Sequence, residues 1–235
     1  MESFPPTRYN SPSMKNLYFT PENIDAKARQ MKADFSPKRG TEYLPATSAL
    51  LILDMQRYFL DAGSHAYIPS AQAILPRVDK IRETYETLGL PIVWTRHLNT
   101  PADAGNMSTW WRELIQRENP LSEIDPFFTP SSGNLIEKSQ YDAFYKTNLD
   151  LRLQKLDVKQ IVIAGVMTHL CCETTARSAF MLGYDVFFLI DGTATYNEDF
   201  HRATLRNLLH GFATPFLCEE ILSTTKAQNS QSFSS

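Results

Sequence analysis

The chain has 235 residues, of which 43% are hydrophobic and 21% charged, and this balance is typical of one globular domain rather than of a disordered or fibrous protein. Its formal net charge of −3 comes without clusters of Lys and Arg, so we expect no nucleic-acid partner. Because no apolar run approaches the roughly 20 residues that span a bilayer, and the first residues lack the apolar core of a signal peptide, we expect no membrane partner and a cytoplasmic location.

The two ends of the chain differ in composition from its centre. Residues 1–45 are polar and contain prolines throughout, which predicts an irregular amino-terminal arm with one helical piece near Glu22 to Met31. At the other end, residues 223–235 have the polar composition of a disordered tail. A single domain is therefore expected at residues 46–222.

Within the domain, short apolar runs alternate with helical patterns. Strands are predicted at Ala49 to Asp54, Pro91 to Thr95, Asn134 to Ser139, Gln160 to Val166, Asp185 to Asp191 and Ala213 to Cys218. Helices are predicted from Ile74 to Leu88, from Thr147 or Asn148 onward, from Thr168 to Leu182 and from Asn197 to His210. Near-continuous apolar strands, each followed by a helix, predict an α/β fold: a three-layer α/β/α sandwich around a mostly parallel six-stranded sheet.

Ligands of such sheets bind beyond the carboxyl ends of the strands, so the residues at those ends are the first candidates for a site. They are Asp54, Arg96, His97, Lys138, Cys171 and Asp191. Three of them carry complementary chemistry, because the carboxylate of Asp54 can accept a proton from the thiol of Cys171 while the amine of Lys138 stabilises the thiolate. A position in the first turn of a helix, near a cation, predicts a thiol pKa below its ordinary value of about 8.5.

Each of these residues also has a structural interpretation. Buried cysteines are commonly packing residues, strand-end aspartates often cap helices, and lysines usually face water. The chain has three cysteines, Cys171, Cys172 and Cys218, an odd number without the spacing of a disulfide framework or a zinc site. We therefore expect reduced thiols, no metal and no cofactor.

Three separated motifs resemble the isochorismatase-like hydrolase superfamily. They are ALLILDMQRYFL from Ala49, EKSQYDAFYKTNL from Glu137, and AGVMTHLCCETTARSAFMLGYDVFFLIDGTA from Ala164. The resemblance implies a Rossmann-like fold and an Asp, Lys and Cys catalytic triad at Asp54, Lys138 and Cys171, with Cys172 as a buried packing residue. It also implies a cis peptide between Val166 and Met167, an oxyanion hole formed by the amides of Met167 and Cys171, and a homo-oligomer, either a dimer or a tetramer.

The branch of the superfamily is less defined. The nicotinamidase branch binds metal through an Asp-x-His pair that has no counterpart here, since His97 stands alone in WTRHLNT. Lys138, Tyr141 and Phe144, and also His169, match the isochorismatase branch. Several isochorismatases, however, have Gly at the position of Cys171 and hydrolyse a vinyl ether without a covalent step. The thiol here favours hydrolysis of an amide, carbamoyl or ureido C–N bond in a small-molecule substrate. The alternatives are an enol-ether hydrolase, an inactive binding relative, and a thiol redox sensor.

Substrate contacts are predicted at Phe59, Arg96, His97, Trp110, Tyr141, Phe144 and His169. Trp110 and Trp111 lie in a long connection, residues 96–133, which is long enough to act as a lid or an interface. In this prediction Arg96 supplies a guanidinium for a substrate carboxylate.

Overall fold

Six parallel strands form the central sheet of the protein, whose computed structural model describes residues 14–35 and 41–232. The strands are β1 Ser48–Leu53, β2 Ile92–His97, β3 Leu135–Lys138, β4 Gln160–Val166, β5 Asp185–Ala194 and β6 Thr214–Phe216. Their order across the sheet is β3-β2-β1-β4-β5-β6, and every neighbouring pair is parallel. The central strands β1 and β4 are buried along their whole length, as strands covered on both faces must be.

Helices cover both faces of the sheet. They are α1 Ile24–Asp34, α2 Arg57–Leu60, α3 Ala71–Thr87, α4 Met107–Trp110, α5 Leu149–Lys155, α6 Glu173–Met181, α7 Glu198–Gly211 and α8 Cys218–Ser232. From β1 to β2 the chain moves across the sheet towards the edge formed by β3. From β3 to β4, and then to β5 and β6, it moves towards the opposite edge. Right-handed crossovers therefore place α3 on one face and α5, α6 and α7 on the other. The predicted three-layer α/β fold is confirmed. No helix in the described ranges combines the length and the hydropathy that a membrane crossing requires.

The amino-terminal arm differs from its prediction. Residues 14–35 pack onto the domain, and α1 is longer than the predicted helical piece. Ile24, Ala28 and Met31 recur at helical spacing, and all three are almost completely buried. This spacing gives the polar segment an apolar face, so part of the arm belongs to the core. Residues 1–13 and 36–40 lie outside the described part of the chain.

The carboxyl-terminal segment also differs. Helix α8 continues to Ser232, through most of the segment whose composition predicts a disordered tail. Ile221 and Thr225 lie one turn apart and are both buried, because α8 packs against α3 and β5. Its first turns are thereby anchored, and the helix continues beyond them. Residues 233–235 lie outside the described part.

Gly165 marks the closest approach of β4 to β1. Its φ is +113°, and a Cβ there would overlap the carbonyl oxygen of Leu53 and lie 2.6 Å from the Leu53 nitrogen. We expect Gly165→Ala to lower the free energy of unfolding by roughly 3 kcal/mol or more, because backbone strain and overpacking add. Denaturant unfolding measures this loss. The matched control is Gly183→Ala, where φ is +93° but nothing lies within 4 Å of the new Cβ; it should lose about 1–2 kcal/mol. Equal losses in the two variants would contradict the prediction.

Candidate active site

The carboxyl ends of three strands bring the three predicted chemical groups together. Asp54 follows β1, Lys138 is the last residue of β3, and Cys171 lies in a π-helical turn, Thr168–Cys172, between β4 and α6. The Nζ atom of Lys138 lies 2.7 Å from Oδ2 of Asp54 and 3.3 Å from Sγ of Cys171. All three residues are buried. Because β2 separates β1 from β3 in the sheet, Lys138 uses its long side chain to reach Asp54.

The neighbouring strand β2 positions Asp54. The Asp54 N–H donates to the carbonyl and to the hydroxyl oxygen of Thr95, each at 3.2 Å, and the Thr95 hydroxyl donates to Oδ1 of Asp54 at 2.7 Å. The backbone of Asp54 has a φ of +51°, a left-handed conformation that aspartate tolerates better than most residues. One carboxylate oxygen is thus held by Thr95, and the other faces Lys138.

His97 completes the surroundings of the Lys138 ammonium group. Its Nδ1 lies 3.5 Å from Nζ of Lys138, and its Nε2 lies 2.8 Å from Oδ1 of Asn99, which fixes the ring. Nζ also donates to the carbonyl of Gln140 at 3.0 Å.

This geometry bears on metal binding. Ligand atoms of Asp54, His97 and Cys171 all lie within 4.8 Å of one another, a spacing compatible with a metal site. The same three groups, however, contact the ammonium of Lys138, which already provides a positive charge among them. A metal ion there would have to displace or repel this ammonium. The donor set therefore does not fit a metal while Lys138 is charged.

The burial and the mutual charges of the three groups set their protonation. Burial is the largest influence on Asp54 and opposes its ionisation, but the charges of Lys138 and His97, together with hydrogen bonds from Cys171 and Lys138, hold the pKa of Asp54 below its ordinary value. Burial likewise disfavours the charged form of Lys138, yet the carboxylate of Asp54 raises the pKa of Lys138 above its usual range. For Cys171, burial and then the charge of Asp54 raise the thiol pKa to about 12, although Lys138 opposes them. The expectation of a lowered thiol pKa was wrong, because it considered only the helix start and the cation.

These protonation states predict the pH dependence of activity. Asp54 loses its negative charge only when the pH falls below its lowered pKa, and burial, together with Lys138, keeps the pKa of His97 at about 4. Since the pKa of Cys171 is about 12, the thiol stays protonated at neutral pH. We expect kcat/KM for an amide substrate to change less than about twofold between roughly pH 5 and pH 9. Initial rates across this range test it. A rise in kcat/KM centred near pH 8.5 would contradict it, since that profile indicates a free thiolate.

The turn after β4 presents a backbone donor beside the thiol. The Val166–Met167 peptide is cis, as the resemblance implies. Met167, which follows this cis bond, lines the same cavity as Cys171. This placement is consistent with an oxyanion hole at the amides of Met167 and Cys171, which stays a proposal.

A cavity of about 70 Å³ adjoins Cys171, and its wall is mostly apolar and aromatic. Of the predicted substrate contacts, Phe59, His97 and Tyr141 line it. This small volume suits a small molecule.

Other predicted contacts lie elsewhere. Trp110 and His169 line a wider pocket outside the cavity, which Tyr141 also borders. Arg96 and Phe144 line neither pocket. Because alternate side chains of a strand point to opposite faces, His97 faces the site while Arg96 pairs with Glu123 and Glu137.

Phe144 stacks on Tyr184, with ring centroids 6.1 Å apart. It thus packs against a residue between α6 and β5 and lines neither pocket.

Several residues of the cavity wall were missed in the sequence. Tyr58 donates a hydrogen bond of 3.0 Å to Oε1 of Glu113, and Arg112 and His65 lie on the same wall. His65, Arg112 and Glu113 belong to irregular connections and Tyr58 to the four-residue helix α2. Hydrophobic periodicity carries no information about side-chain direction in segments this short or irregular. The sequence WWRE, which places Arg112 and Glu113 next to the tryptophan pair, is the one local signal that could have pointed to them.

Comparison with known proteins gives relatives by sequence and by fold. A family profile described as "Isochorismatase domain" matches residues 48–220. The chain is 38% identical to Nicotinamidase 3 of Arabidopsis thaliana over 180 residues, which cover 74% of this chain and 86% of that protein. It is 29% identical to the isochorismatase of Bacillus subtilis over 164 residues, which cover 68% of this chain and 52% of that protein. The crystal structure of a cysteine hydrolase from Pseudomonas syringae pv. phaseolicola superimposes with a TM-score of 0.76 at 23% identity, covering 80% of this chain and 96% of that one.

Proposed function

We propose, from the premise that this chain belongs to the isochorismatase domain family of hydrolases, that it hydrolyses a C–N bond of a small amide, carbamoyl or ureido compound. In this proposal Cys171 is the nucleophile, Asp54 the general base and Lys138 the electrostatic partner of both. The observation that carries the proposal is the contact of Lys138 with Asp54 and with Cys171 at the wall of a small cavity.

The reaction begins with a neutral thiol. As Sγ of Cys171 attacks the carbonyl carbon, its proton passes to the carboxylate of Asp54 and a C–S bond forms. The carbonyl oxygen becomes an oxyanion, which the amides of Met167 and Cys171 stabilise. When the oxyanion collapses, the C–N bond breaks and the proton on Asp54 passes to the leaving nitrogen. A thioester and free ammonia or amine result.

Hydrolysis of the thioester repeats these roles. Asp54 takes a proton from water as the water oxygen attacks the thioester carbon. The C–S bond then breaks, the acid product leaves, and Cys171 recovers its proton. Lys138 keeps Asp54 ionised between these transfers, because its charge lowers the pKa of that carboxyl.

The size of the cavity and the relatives support a substrate class for this proposal. The small cavity with aromatic walls suits a single flat ring carrying a carboxamide. The identity of 38% to a protein named Nicotinamidase 3 exceeds the 29% to a protein named isochorismatase. Nicotinamide is therefore the first substrate to test.

An enol-ether hydrolase is the second candidate, because the chain is also similar to a protein named isochorismatase. In that reaction Asp54 and Lys138 act without the thiol, and isochorismate yields pyruvate. An inactive binding relative is less well supported, since the chain retains Asp54, Lys138 and Cys171 in mutual proximity.

We also propose that the protein works as a homo-oligomer, either a dimer or a tetramer, as the family resemblance implies. Its mass in solution, measured by light scattering, tests this.

The deciding assay measures ammonia and pyruvate release side by side from the purified protein. Nicotinamide, aliphatic amides, ureido acids and isochorismate form the panel. Ammonia release without pyruvate supports amide hydrolysis, whereas pyruvate release from isochorismate without ammonia from any amide would replace it with the second candidate. If no substrate of the panel releases ammonia or pyruvate, the inactive binding relative becomes the favoured interpretation.

A further inference from the structure

A second, wider pocket lies outside the catalytic cavity, and we call it the vestibule. Its volume is about 530 Å³. Six rings form most of its wall: Trp110, Trp111, Tyr141, His169, Tyr196 and Phe200. No step of the proposed hydrolysis requires a space of this size.

The vestibule and the catalytic cavity share part of their walls. Met107, Trp111, Tyr141, Leu170 and Tyr196 line both. The indole N–H of Trp111 donates to the hydroxyl of Tyr141 at 2.7 Å, which fixes the two rings at this boundary. A molecule with its amide at Cys171 that extends past these rings would enter the vestibule.

The walls of the vestibule are preorganised for a flat group. The ring of His169 stacks on Phe200 with centroids 4.4 Å apart and an interplanar angle of 12°. Nδ1 of His169 lies 2.6 Å from the hydroxyl of Thr195, which holds the stack in place. Trp110 is 73% exposed at the rim, a large apolar surface in contact with water.

The vestibule lining also excludes a charged occupant. None of its lining residues is Asp, Glu, Lys or Arg in the described part of the chain, and burial lowers the pKa of His169 to about 4. A carboxylate or ammonium that lost its water there would find no opposite charge. The catalytic cavity differs, since Arg112 and Glu113 line it.

We propose that the vestibule is a second substrate subsite, which binds an uncharged aromatic or heteroaromatic ring attached to the ring that carries the scissile amide. This inference rests on the proposed amide hydrolysis and extends it from one-ring to two-ring substrates. The catalytic cavity holds the carboxamide and the first ring, and the vestibule stacks the second.

The test compares nicotinamide with phenyl-substituted nicotinamides, one for each free ring carbon. Hydrolysis by the wild-type protein gives kcat/KM for each. Binding to Cys171→Ala, measured by calorimetry, gives a Kd that does not depend on turnover. We expect at least one two-ring amide to exceed nicotinamide by about tenfold in both kcat/KM and affinity.

The variant Trp110→Ala tests whether the preference for a two-ring amide arises in the vestibule. It should lower kcat/KM and affinity for the favoured two-ring amide about tenfold more than for nicotinamide. Met181→Ala is the matched control, because Met181 is 72% exposed and lines neither pocket. It should leave the preference for the two-ring amide intact.

Three outcomes would overturn the subsite. In the first, every two-ring amide binds no more tightly than nicotinamide. In the second, Trp110→Ala loses equal kcat/KM and affinity for both substrates. In the third, light scattering shows that Trp110→Ala changes the molar mass of the protein. The last outcome would assign the vestibule to contact between copies of the chain. If no amide, carbamoyl or ureido compound is hydrolysed, the proposed function fails, and the Kd values still decide whether the vestibule binds a ring.

Discussion

Cys171→Ala should abolish ammonia release from an amide substrate, lowering kcat by at least about 10⁴-fold. The variant cannot form the thioester, and alanine gives Asp54 no proton to accept. Because the substitution removes only a sulfur atom from a buried position, the fold and the affinity for substrate should persist. Steady-state ammonia release measures the loss, and calorimetric binding of nicotinamide checks that the cavity is intact.

Cys172→Ala is the matched control for this loss. Cys172 is the adjacent thiol and is completely buried in the apolar core, whereas Cys171 lines the cavity. The control variant removes the same atom and should keep most of the activity, with a stability loss of about 1 kcal/mol from the small cavity it leaves. Comparable loss of activity in both variants would contradict the assignment of Cys171. Pyruvate release from isochorismate that survives in Cys171→Ala would favour enol-ether hydrolysis.

The position of the candidate site could be predicted because parallel strands end at a common edge. ALLILD and NLIEK are apolar runs that end in a carboxylate and an amine, so their sequence alone places Asp54 and Lys138 near that edge. The state of the thiol could not be predicted in the same way. Its position in the chain indicates the helix start, but the burial and the nearby carboxylate that raise its pKa come from distant segments.

The structure also differs from the sequence-based predictions in the amino-terminal arm and in the cavity wall, and for a similar physical reason. Composition averages over a segment, so it does not detect the single buried stripe of Ile24, Ala28 and Met31 in a polar arm. The cavity wall depends on irregular connections, where side-chain direction follows from tertiary contacts. Arg112 and Glu113, rather than Arg96, therefore supply its charged groups.

The pair formed by Asp54 and Lys138 should control both activity and stability. Lys138→Met leaves the carboxylate of Asp54 buried without its partner, which lies 2.7 Å away in the wild type. We expect ammonia release to fall by at least about 10³-fold, because neither the base nor the nucleophile retains its electrostatic support. We expect the free energy of unfolding at pH 7 to fall by about 3–5 kcal/mol, the usual effect of removing one member of a buried ion pair.

The stability loss should depend on pH in a defined direction. In the wild type the lowered pKa of Asp54 contributes stability above the unfolded pKa of about 3.9, and this contribution is lost as the pH falls through the folded value. In Lys138→Met, burial without the cation should raise the pKa of Asp54. The buried carboxyl then lowers the stability of the variant as the pH rises through this raised pKa. The difference between the two proteins should therefore grow from about pH 4 to pH 7. Urea unfolding at several pH values measures it, and a difference that is constant with pH would contradict the coupling.

The double variant Asp54→Asn with Lys138→Met separates the pair's two roles. Removing both charges leaves no uncompensated buried ion, so most of the stability lost in Lys138→Met should return. Activity should not return, because asparagine cannot accept the proton of Cys171. The two substitutions should therefore be non-additive in stability by at least about 2 kcal/mol, while neither restores hydrolysis. Additive stability losses would mean that Asp54 and Lys138 act independently, and the ionised carboxylate could then not be ascribed to Lys138. If Lys138→Met alone proves unfolded at neutral pH, a folded double variant still shows that the unpaired carboxylate is what destabilises it.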